Sequence, residues 1–355
     1  MKKVILSFLF LSLSFSSLAQ TKKISPLGRI EVGILKKQPE KMAKEEEVKL
    51  FSLSAFKTIP QSSRVYQVSF SPQGEYLVFC TKEGKIGIYQ IKKERLIKIK
   101  EEKVSKKPLY YVRFHPSKNI IAYGGRDEKN VIYDVEKNTK IHTILEFESP
   151  ITDAIWTPDE TVLCMAHLGT YGLTFYDTQN YEQLMNIKSP GGGIYHLAIS
   201  GDSSLLAFAS REKTISILPL GEKHPSFLLK KHLSLSLCVE FSPDDRFLAS
   251  GGADGQLFLW KKEEDKIDSS PVFTWIHRNW VTSLKFFKNY LITSCKDGKI
   301  RIFDFVNKEL LGVFEGSKNA IFTISIDKEG NFLAIGTKEE GVKIFKFKEV
   351  LEKIK

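Results

Sequence analysis

Three features of the sequence predict an all-β fold, a seven-bladed β-propeller of four-stranded antiparallel blades with its last blade closed by the N-terminal strand. A short apolar strand pattern occurs seven times, an earlier strand in each copy ends in a turn, and the copies fill most of the chain after residue 46. Repeats of roughly 40–45 residues with four short strands each are typical of propeller blades. Because the blades of a propeller close into one ring, we expect the seven copies to form a single domain.

The repeated strand has alternating apolar positions and closes on an aromatic residue or a leucine. Its closing residues are Tyr89, Tyr133, Tyr176, Leu218, Trp260, Phe303 and Phe345. They lie 42 to 44 positions apart, a regularity that chance does not produce over seven copies. Alternation of this kind is typical of a strand in a half-buried sheet.

The other strands of each copy follow from turn signals. Four copies carry an aromatic residue that ends a strand just before a turn with proline: Phe70-Ser71-Pro72, Phe114-His115-Pro116, Trp156-Thr157-Pro158 and Phe241-Ser242-Pro243. An apolar stretch follows each turn, and a fourth strand bridges consecutive copies. The seventh copy has only three strands, so we expect Val48 to Phe56 to complete it, which would remove an exposed sheet edge.

The N-terminus has the pattern of a cleaved secretory signal peptide. Lys2 and Lys3 precede an apolar stretch too short for a stable membrane anchor, and small residues permit cleavage near Ala19. We therefore expect a signal peptide at 1–19, a Lys/Glu-rich leader at 20–46, the propeller at 47–348 and a C-terminal tail at 349–355. This organisation predicts a monomeric periplasmic or secreted protein whose mature chain has no transmembrane segment.

Charge and cysteine content narrow the classes of partner and cofactor. The chain carries a formal net charge of +11, and lysine supplies most of its 53 basic residues. Lysine is less suited than arginine to bidentate recognition of phosphates and bases, and an exported protein rarely meets nucleic acid, so we expect no nucleic-acid partner. The four cysteines lack the spacing of a zinc site or a disulfide scaffold and are interpreted as small core residues.

The fifth and sixth copies resemble the WD-repeat (WD40) β-propeller family. The fifth carries His232, the turn after Phe241, Ala249-Ser250-Gly251-Gly252, Asp254-Gly255 and Trp260. The sixth carries His277, Thr293, Asp297-Gly298 and Phe303-Asp304. Together with the predicted signal peptide, the resemblance indicates a bacterial-type exported member of that family.

The resemblance implies a structural hydrogen-bond chain in these two copies. Its residues would be His232, Ser250, Asp254 and Trp260 in the fifth copy and His277, Thr293 and Asp297 in the sixth. Because Phe303 has no indole N–H, the sixth chain should be incomplete. We therefore expect Asp297→Ala to cost less stability than Asp254→Ala.

No catalytic, cofactor-binding or metal-binding motif occurs in the sequence. The H-E-x-x-H, G-x-S-x-G, Walker and G-x-G-x-x-G patterns do not appear. We therefore expect no catalytic residue, cofactor or metal, and a non-catalytic scaffold that binds a protein or peptide. The alternatives are a propeller hydrolase or lactonase with a site in the channel, or a binder of an anionic polysaccharide or lipid surface.

Aromatic residues near the starts of the inner strands form the candidate partner-binding face. In the WD40 family these positions lie near the top face and the central channel. The candidates are Tyr66, Tyr110, Tyr195, Trp280 and Phe322, together with Arg126 and Arg278 beside blade loops. Interface hot spots favour Tyr, Trp and Arg. Packing of these aromatic rings between blades, as core, is the alternative.

Overall fold

The computed structural model describes residues 50–145, 149–189 and 192–354. The predicted signal peptide, the predicted leader, Val48 and Lys49 lie outside the described residues. In the described part of the chain, strands β1 to β30 form seven sheets, as the repeats predict, and all their pairings but that of β1 are antiparallel; one helix follows the last strand.

The first three sheets each contain four strands in sequence order, from the inner edge to the outer edge. Blade one is β3 (Val65–Phe70), β4 (Tyr76–Thr81), β5 (Lys85–Lys92) and β6 (Arg95–Lys103). Blade two is β7 (Leu109–Phe114), β8 (Ile120–Gly125), β9 (Asn130–Asp134) and β10 (Thr139–Ile144). Blade three is β11 (Ile151–Trp156), β12 (Val162–His167), β13 (Leu173–Asp177) and β14 (Gln183–Ile187).

The next two sheets repeat this order, with one extra short strand. Blade four is β15 (Ile194–Ile199), β16 (Leu205–Ser210), β17 (Ile215–Pro219) and β18 (Phe227–Leu229). Blade five is β19 (Ser236–Phe241), β20 (Phe247–Gly252), β21 (Gln256–Glu263) and β23 (Phe273–Ile276), and β22 (Lys266–Ile267) forms a hairpin with the end of β21.

The last two sheets each combine strands from the C-terminal part of the chain with one short N-terminal strand. Blade six is β24 (Val281–Phe287), β25 (Tyr290–Cys295), β26 (Lys299–Asp304) and β27 (Glu309–Glu315), with β1 (Leu50–Phe51) added in parallel to β27. Blade seven is β28 (Ile321–Ile326), β29 (Phe332–Thr337) and β30 (Val342–Lys346), with β2 (Lys57–Ile59) as its outer strand.

The seven inner strands form a closed ring, because each lies against the inner strands of both neighbouring blades and β28 lies against β3. An N-terminal strand closes the last blade, as predicted. The predicted position of that strand was wrong, since Lys57–Ile59 pairs with β30 while Leu50–Phe51 joins blade six. The Phe51 ring stacks on Phe314 of blade six at 5.5 Å, whereas Ile59 is buried with Val342 and Val65.

Helix α1 (Phe347–Ile354) occupies most of the segment expected to be a tail. Its buried residues Phe347 and Val350 join a core cluster that also contains Phe51 and Phe314. Ile354 reaches the outer strand of blade six, where a Cβ added to Gly312 would lie 2.3 Å from it. The two ends of the described chain therefore pack against one another and against blades six and seven.

The core consists of apolar layers between adjacent blades. One cluster joins Ile86 and Ile88 of blade one to Val112 and Ile121 of blade two, and similar clusters occur between other neighbours. The four cysteines are free and buried, in agreement with their interpretation as small core residues. Each blade thus buries apolar side chains against its neighbours, which stabilises the ring in proportion to the buried area.

Closure by β2 leads to a prediction about stability. Ile59→Ala should lower the free energy of unfolding by about 2–5 kcal/mol, because a buried aliphatic side chain is lost from the closing strand. The control is Lys57→Ala in the same strand, where an exposed side chain is removed and the change should stay within about 0.5 kcal/mol. Urea midpoints with unchanged slopes provide the measurement. Equal midpoints for the two variants would show that β2 does not hold the ring.

Candidate functional site

One backbone hydrogen bond occurs in all seven blades and frames one mouth of the channel. The residue after the second strand donates its N–H to the carbonyl oxygen of the residue just before the inner strand, at 2.8–3.0 Å. The seven donor–acceptor pairs are Lys82–Arg64, Arg126–Pro108, Leu168–Pro150, Arg211–Gly193, Ala253–Leu235, Lys296–Trp280 and Lys338–Ala320. These bonds define equivalent positions around the mouth, and five of the seven donors are cationic residues.

The strand pairing also skips one residue at the start of every inner strand, as at a β-bulge. The skipped residues are Tyr66, Tyr110, Thr152, Tyr195, Leu237, Thr282 and Phe322. A bulge re-aims a side chain relative to the regular sheet. All seven skipped residues line a channel cavity of about 590 Å³.

The cavity brings together the five predicted aromatic residues: Tyr66, Tyr110, Tyr195, Trp280 and Phe322 all line it. Tyr66 and Tyr110 contact edge to face, with ring centroids 5.3 Å apart. Trp280 stays 37% exposed and is therefore accessible from outside. Arg126 donates one of the framing bonds at the rim, but neither it nor Arg278 lines the cavity.

Two cations that sequence reasoning missed, Arg64 and Lys296, line the cavity among these aromatic rings. The Lys296 ammonium lies 3.0 Å from the ring centroid of Trp280, and the Arg64 guanidinium lies 4.3 Å from that of Phe322 and 5.4 Å from that of Tyr66. Arg64 directly precedes β3 and Lys296 directly follows β25. The signal that could have found them is their register in the repeat, since Arg64 and Trp280 occupy equivalent positions.

The electrostatics of Lys296 reflect its surroundings. Burial lowers the pKa of the Lys296 ammonium, and the positive charge of Arg64 lowers it further. Within the described ranges, neither cation forms an ion pair, and the buried Nε of Arg64 has no hydrogen-bond partner. The mouth therefore presents two converging positive charges on an aromatic surface.

A buried ionic network lies deeper in the channel. Arg113 donates two hydrogen bonds to the Asp153 carboxylate, at 2.8 and 2.7 Å, and Asp153 also accepts the backbone N–H of Leu197 at 2.9 Å. Arg113 Nη2 lies 3.0 Å from Nε2 of His196. Burial lowers the pKa of His196 well below its usual range, and the Arg113 charge adds to that effect. Asp153 is thus fully engaged in an ion pair and in backbone hydrogen bonds.

The fifth blade contains a continuous side-chain hydrogen-bond chain. Nδ1 of His232 lies 3.1 Å from Asp254, and its Nε2 lies 3.0 Å from the Ser250 hydroxyl. The Trp260 indole N–H donates to the same hydroxyl at 3.0 Å. Burial raises the pKa of Asp254, but hydrogen bonds from His232 and from two backbone amides outweigh burial and leave the pKa lowered. The chain ties a turn of blade five to its second and third strands.

The sixth blade uses its acid differently. His277 Nε2 lies 2.8 Å from the Thr293 hydroxyl, but Asp297 accepts hydrogen bonds from Arg301, the shorter at 2.6 Å. The Arg301 side chain is fully buried. Burial raises the pKa of Asp297, but this ion pair outweighs burial and leaves the pKa lowered. Phe303 still leaves the sixth chain without an indole donor, but the expected lower cost of Asp297→Ala does not follow from this, because Asp297 neutralises the buried Arg301 charge.

The ion pair reverses the expected order of two variants. Asp297→Ala should destabilise the protein by about 3–5 kcal/mol, because it leaves a buried guanidinium without its carboxylate. Asp254→Ala should cost about 1–3 kcal/mol through unpaired donors. Urea midpoints for both variants measure the difference.

The control for this prediction is the double variant Asp297→Ala/Arg301→Met. Replacing both charges by apolar groups should recover much of the lost stability, since a buried ion pair contributes little over packed apolar side chains. A double variant as unstable as Asp297→Ala alone, or a costlier Asp254→Ala, would contradict the role of this pair.

The described residues contain no group of three or more His, Cys, Asp or Glu side chains that could hold a metal ion. Nor does that part of the chain include a helix long and apolar enough to cross a membrane. The chemistry that the channel mouth offers is aromatic contact area with positive charge, which serves binding.

Comparisons with known proteins agree with the architecture. The family model "WD domain, G-beta repeat" matches residues 224–261 and 269–304, and the model "Anaphase-promoting complex subunit 4 WD40 domain" matches residues 68–157. The first model covers the two copies that contain His232 and His277. The family matches and the seven-bladed ring together support a WD40 β-propeller.

Curated relatives share the repeats at low identity. Telomerase protein component 1 of Mus musculus is 24% identical over 232 residues, covering 61% of this chain and 9% of the relative. U3 small nucleolar RNA-associated protein 18 homolog of Arabidopsis thaliana is 23% identical over 190 residues, covering 52% and 35%. WD repeat-containing protein WDS homolog of Arabidopsis thaliana is 21% identical over 301 residues, covering 81% and 56%. The matched segments therefore span from under a tenth to just over half of these relatives.

Proposed function

We propose that this protein is a non-catalytic scaffold that binds a protein or peptide partner at the aromatic mouth of the channel. The observation that carries the proposal is the set of seven bulged positions, five of which hold an aromatic residue or leucine and all of which line one cavity. Aromatic side chains supply large contact area and are enriched in interface hot spots. WD40 relatives are generally interaction scaffolds, which supports the same class of function.

The two alternatives predicted from the sequence find less support. A channel hydrolase needs a free carboxylate or a metal site. The Asp153 carboxylate, however, is bound to Arg113, and the Glu240 carboxylate accepts a hydrogen bond from the Lys285 ammonium at 2.5 Å. Binding to a lipid surface would use lysines spread over a broad exposed face, whereas Arg64 and Lys296 lie in the channel cavity. One relative is a telomerase component and another is associated with a small nucleolar RNA. An RNA-containing complex is therefore the second candidate partner.

The test is peptide selection against the full chain followed by affinity measurement by fluorescence anisotropy. Trp280→Ala should weaken the selected peptides about ten-fold or more, since truncation of a hot-spot aromatic costs roughly 2 kcal/mol. The matched control is Phe227→Ala on the outer strand of blade four, because Phe227 has the same 37% exposure but lies away from the channel. Equal loss in both variants, or no loss in Trp280→Ala, would rule out the mouth as the binding site.

We also propose that the chain is exported as a bacterial-type periplasmic or secreted protein. The proposal rests on the residues before position 20 alone, and the relatives, which come from eukaryotes, do not support it. Expression in a bacterial host should yield a mature protein that begins at Gln20. N-terminal sequencing checks this outcome, with Lys2→Glu/Lys3→Glu as the variant in which processing should decrease. An intact N-terminus in the cell interior would contradict export.

A further inference from the structure

The strongest unexplained feature outside the hydrogen-bond chains is the cation pair at the channel mouth. Arg64 and Lys296 come from different blades, one and six, and both lie within 6 Å of the Phe322 ring centroid, at 4.3 and 5.9 Å. Burial lowers the pKa of the Lys296 ammonium, and repulsion from the Arg64 charge lowers it further. A folded protein tolerates such a pair most easily when a counter-charge completes it.

The described part of the chain does not supply that counter-charge. The acids that directly follow Lys296 and Lys338 are engaged elsewhere, Asp297 with Arg301 and Glu339 with Lys338. Among the described residues, neither Arg64 nor Lys296 forms an ion pair, and the Arg64 Nε is buried without an acceptor. A buried donor without an acceptor is unfavourable, so an oxygen ligand at this site would satisfy the Arg64 Nε.

From this geometry we propose that the partner segment is acidic and that one of its side-chain carboxylates binds between Arg64 and Lys296. This inference rests on the proposed function, because it names the chemistry of the partner that the aromatic mouth would hold. The carboxylate would accept hydrogen bonds from the guanidinium and the ammonium, both of which form short charge-assisted bonds. The Tyr66, Trp280 and Phe322 rings would contact the apolar part of the same segment.

The aromatic faces themselves argue against a cationic ligand. Lys296 lies over the Trp280 ring and Arg64 over the Phe322 ring, so an incoming lysine or arginine would meet a positive charge at each of these rings. At the positions equivalent to that of Lys296, Lys82, Arg126 and Arg211 are each followed directly by an acid, so the argument for an acidic ligand rests on Arg64 and Lys296 themselves.

The test measures fluorescence anisotropy of three labelled probes with the full chain at low ionic strength. The probes are a glutamate-rich peptide containing tyrosine, the same peptide with glutamine at each glutamate, and a single-stranded RNA oligonucleotide. The glutamate peptide should bind about ten-fold or more tightly than the glutamine peptide. Its affinity should fall as salt is raised, since partly exposed charges are screened.

Four variants locate the binding site. Arg64→Gln and Lys296→Gln should each weaken the glutamate peptide about ten-fold, whereas Lys296→Arg, which keeps the charge, should stay within about three-fold. The matched control is Lys338→Gln, which removes one charge at the equivalent rim position of blade seven, where Glu339 already pairs with the lysine. That control should change affinity less than about two-fold. Unfolding midpoints confirm that each variant is folded.

The remaining outcomes distinguish the proposed partner-binding mouth from the proposed carboxylate site between Arg64 and Lys296. Tighter binding of the RNA, lost in the Arg64 and Lys296 variants, would overturn the acidic-segment proposal in favour of nucleic acid. Equal binding of the glutamate and glutamine peptides, lost in Trp280→Ala only, would keep the partner-binding mouth and reject the carboxylate site. Binding that depends on Arg64 and Lys296 but not on Trp280 would support the carboxylate site and reject the aromatic contact.

Discussion

Pairing of β2 with β30 is the constraint on which the rest of the structure depends. The blades are held mainly by apolar contacts between neighbours, so an open ring would expose two blade faces and the edge of blade seven. Three residues of the N-terminal segment, Lys57–Ile59, provide the missing strand, and Ile59 fills the core there. The channel mouth exists only in the closed ring, because Arg64 of blade one contacts Phe322 of blade seven across the junction.

Closure and the mouth are linked through the chain itself. Only a few residues separate the end of β2 from Arg64, so the segment that ends the ring also positions a cation at the channel. The framing hydrogen bond from Lys82 to the Arg64 carbonyl then fixes that position relative to blade one. The bulge at the next residue turns Tyr66 towards the cavity. Stability of the ring and the geometry of the candidate site are therefore consequences of the same few contacts.

The sequence was sufficient for the fold because its signal is periodic. Closing residues from Tyr89 to Phe345 repeat at nearly constant spacing, and spacing survives even where the motif residues are lost. The aromatic mouth residues could be predicted for the same reason, since they hold one register position. The closing strand was misplaced because Leu50, Phe51 and Leu53 carry the stronger apolar pattern, yet Phe51 finds its burial beside Phe314. Arg64 and Lys296 hold such register positions too, but the aromatic rings that they contact are neighbours in space. Arg301 could not be found this way, because what distinguishes it is its ion pair with Asp297.

The fifth and sixth blades show how one turn position can serve two kinds of interaction. Asp254 and Asp297 occupy the same place between the second and third strands, and both accept a backbone N–H from the residue two positions on. Asp254 completes a chain to His232, whereas Asp297 binds Arg301 of the third strand. An ion pair with a fully buried guanidinium depends on its carboxylate more strongly than this hydrogen-bond chain depends on its acid. Blade six matches the family pattern less completely than blade five, yet the stability of the fold depends more strongly on its acid, Asp297.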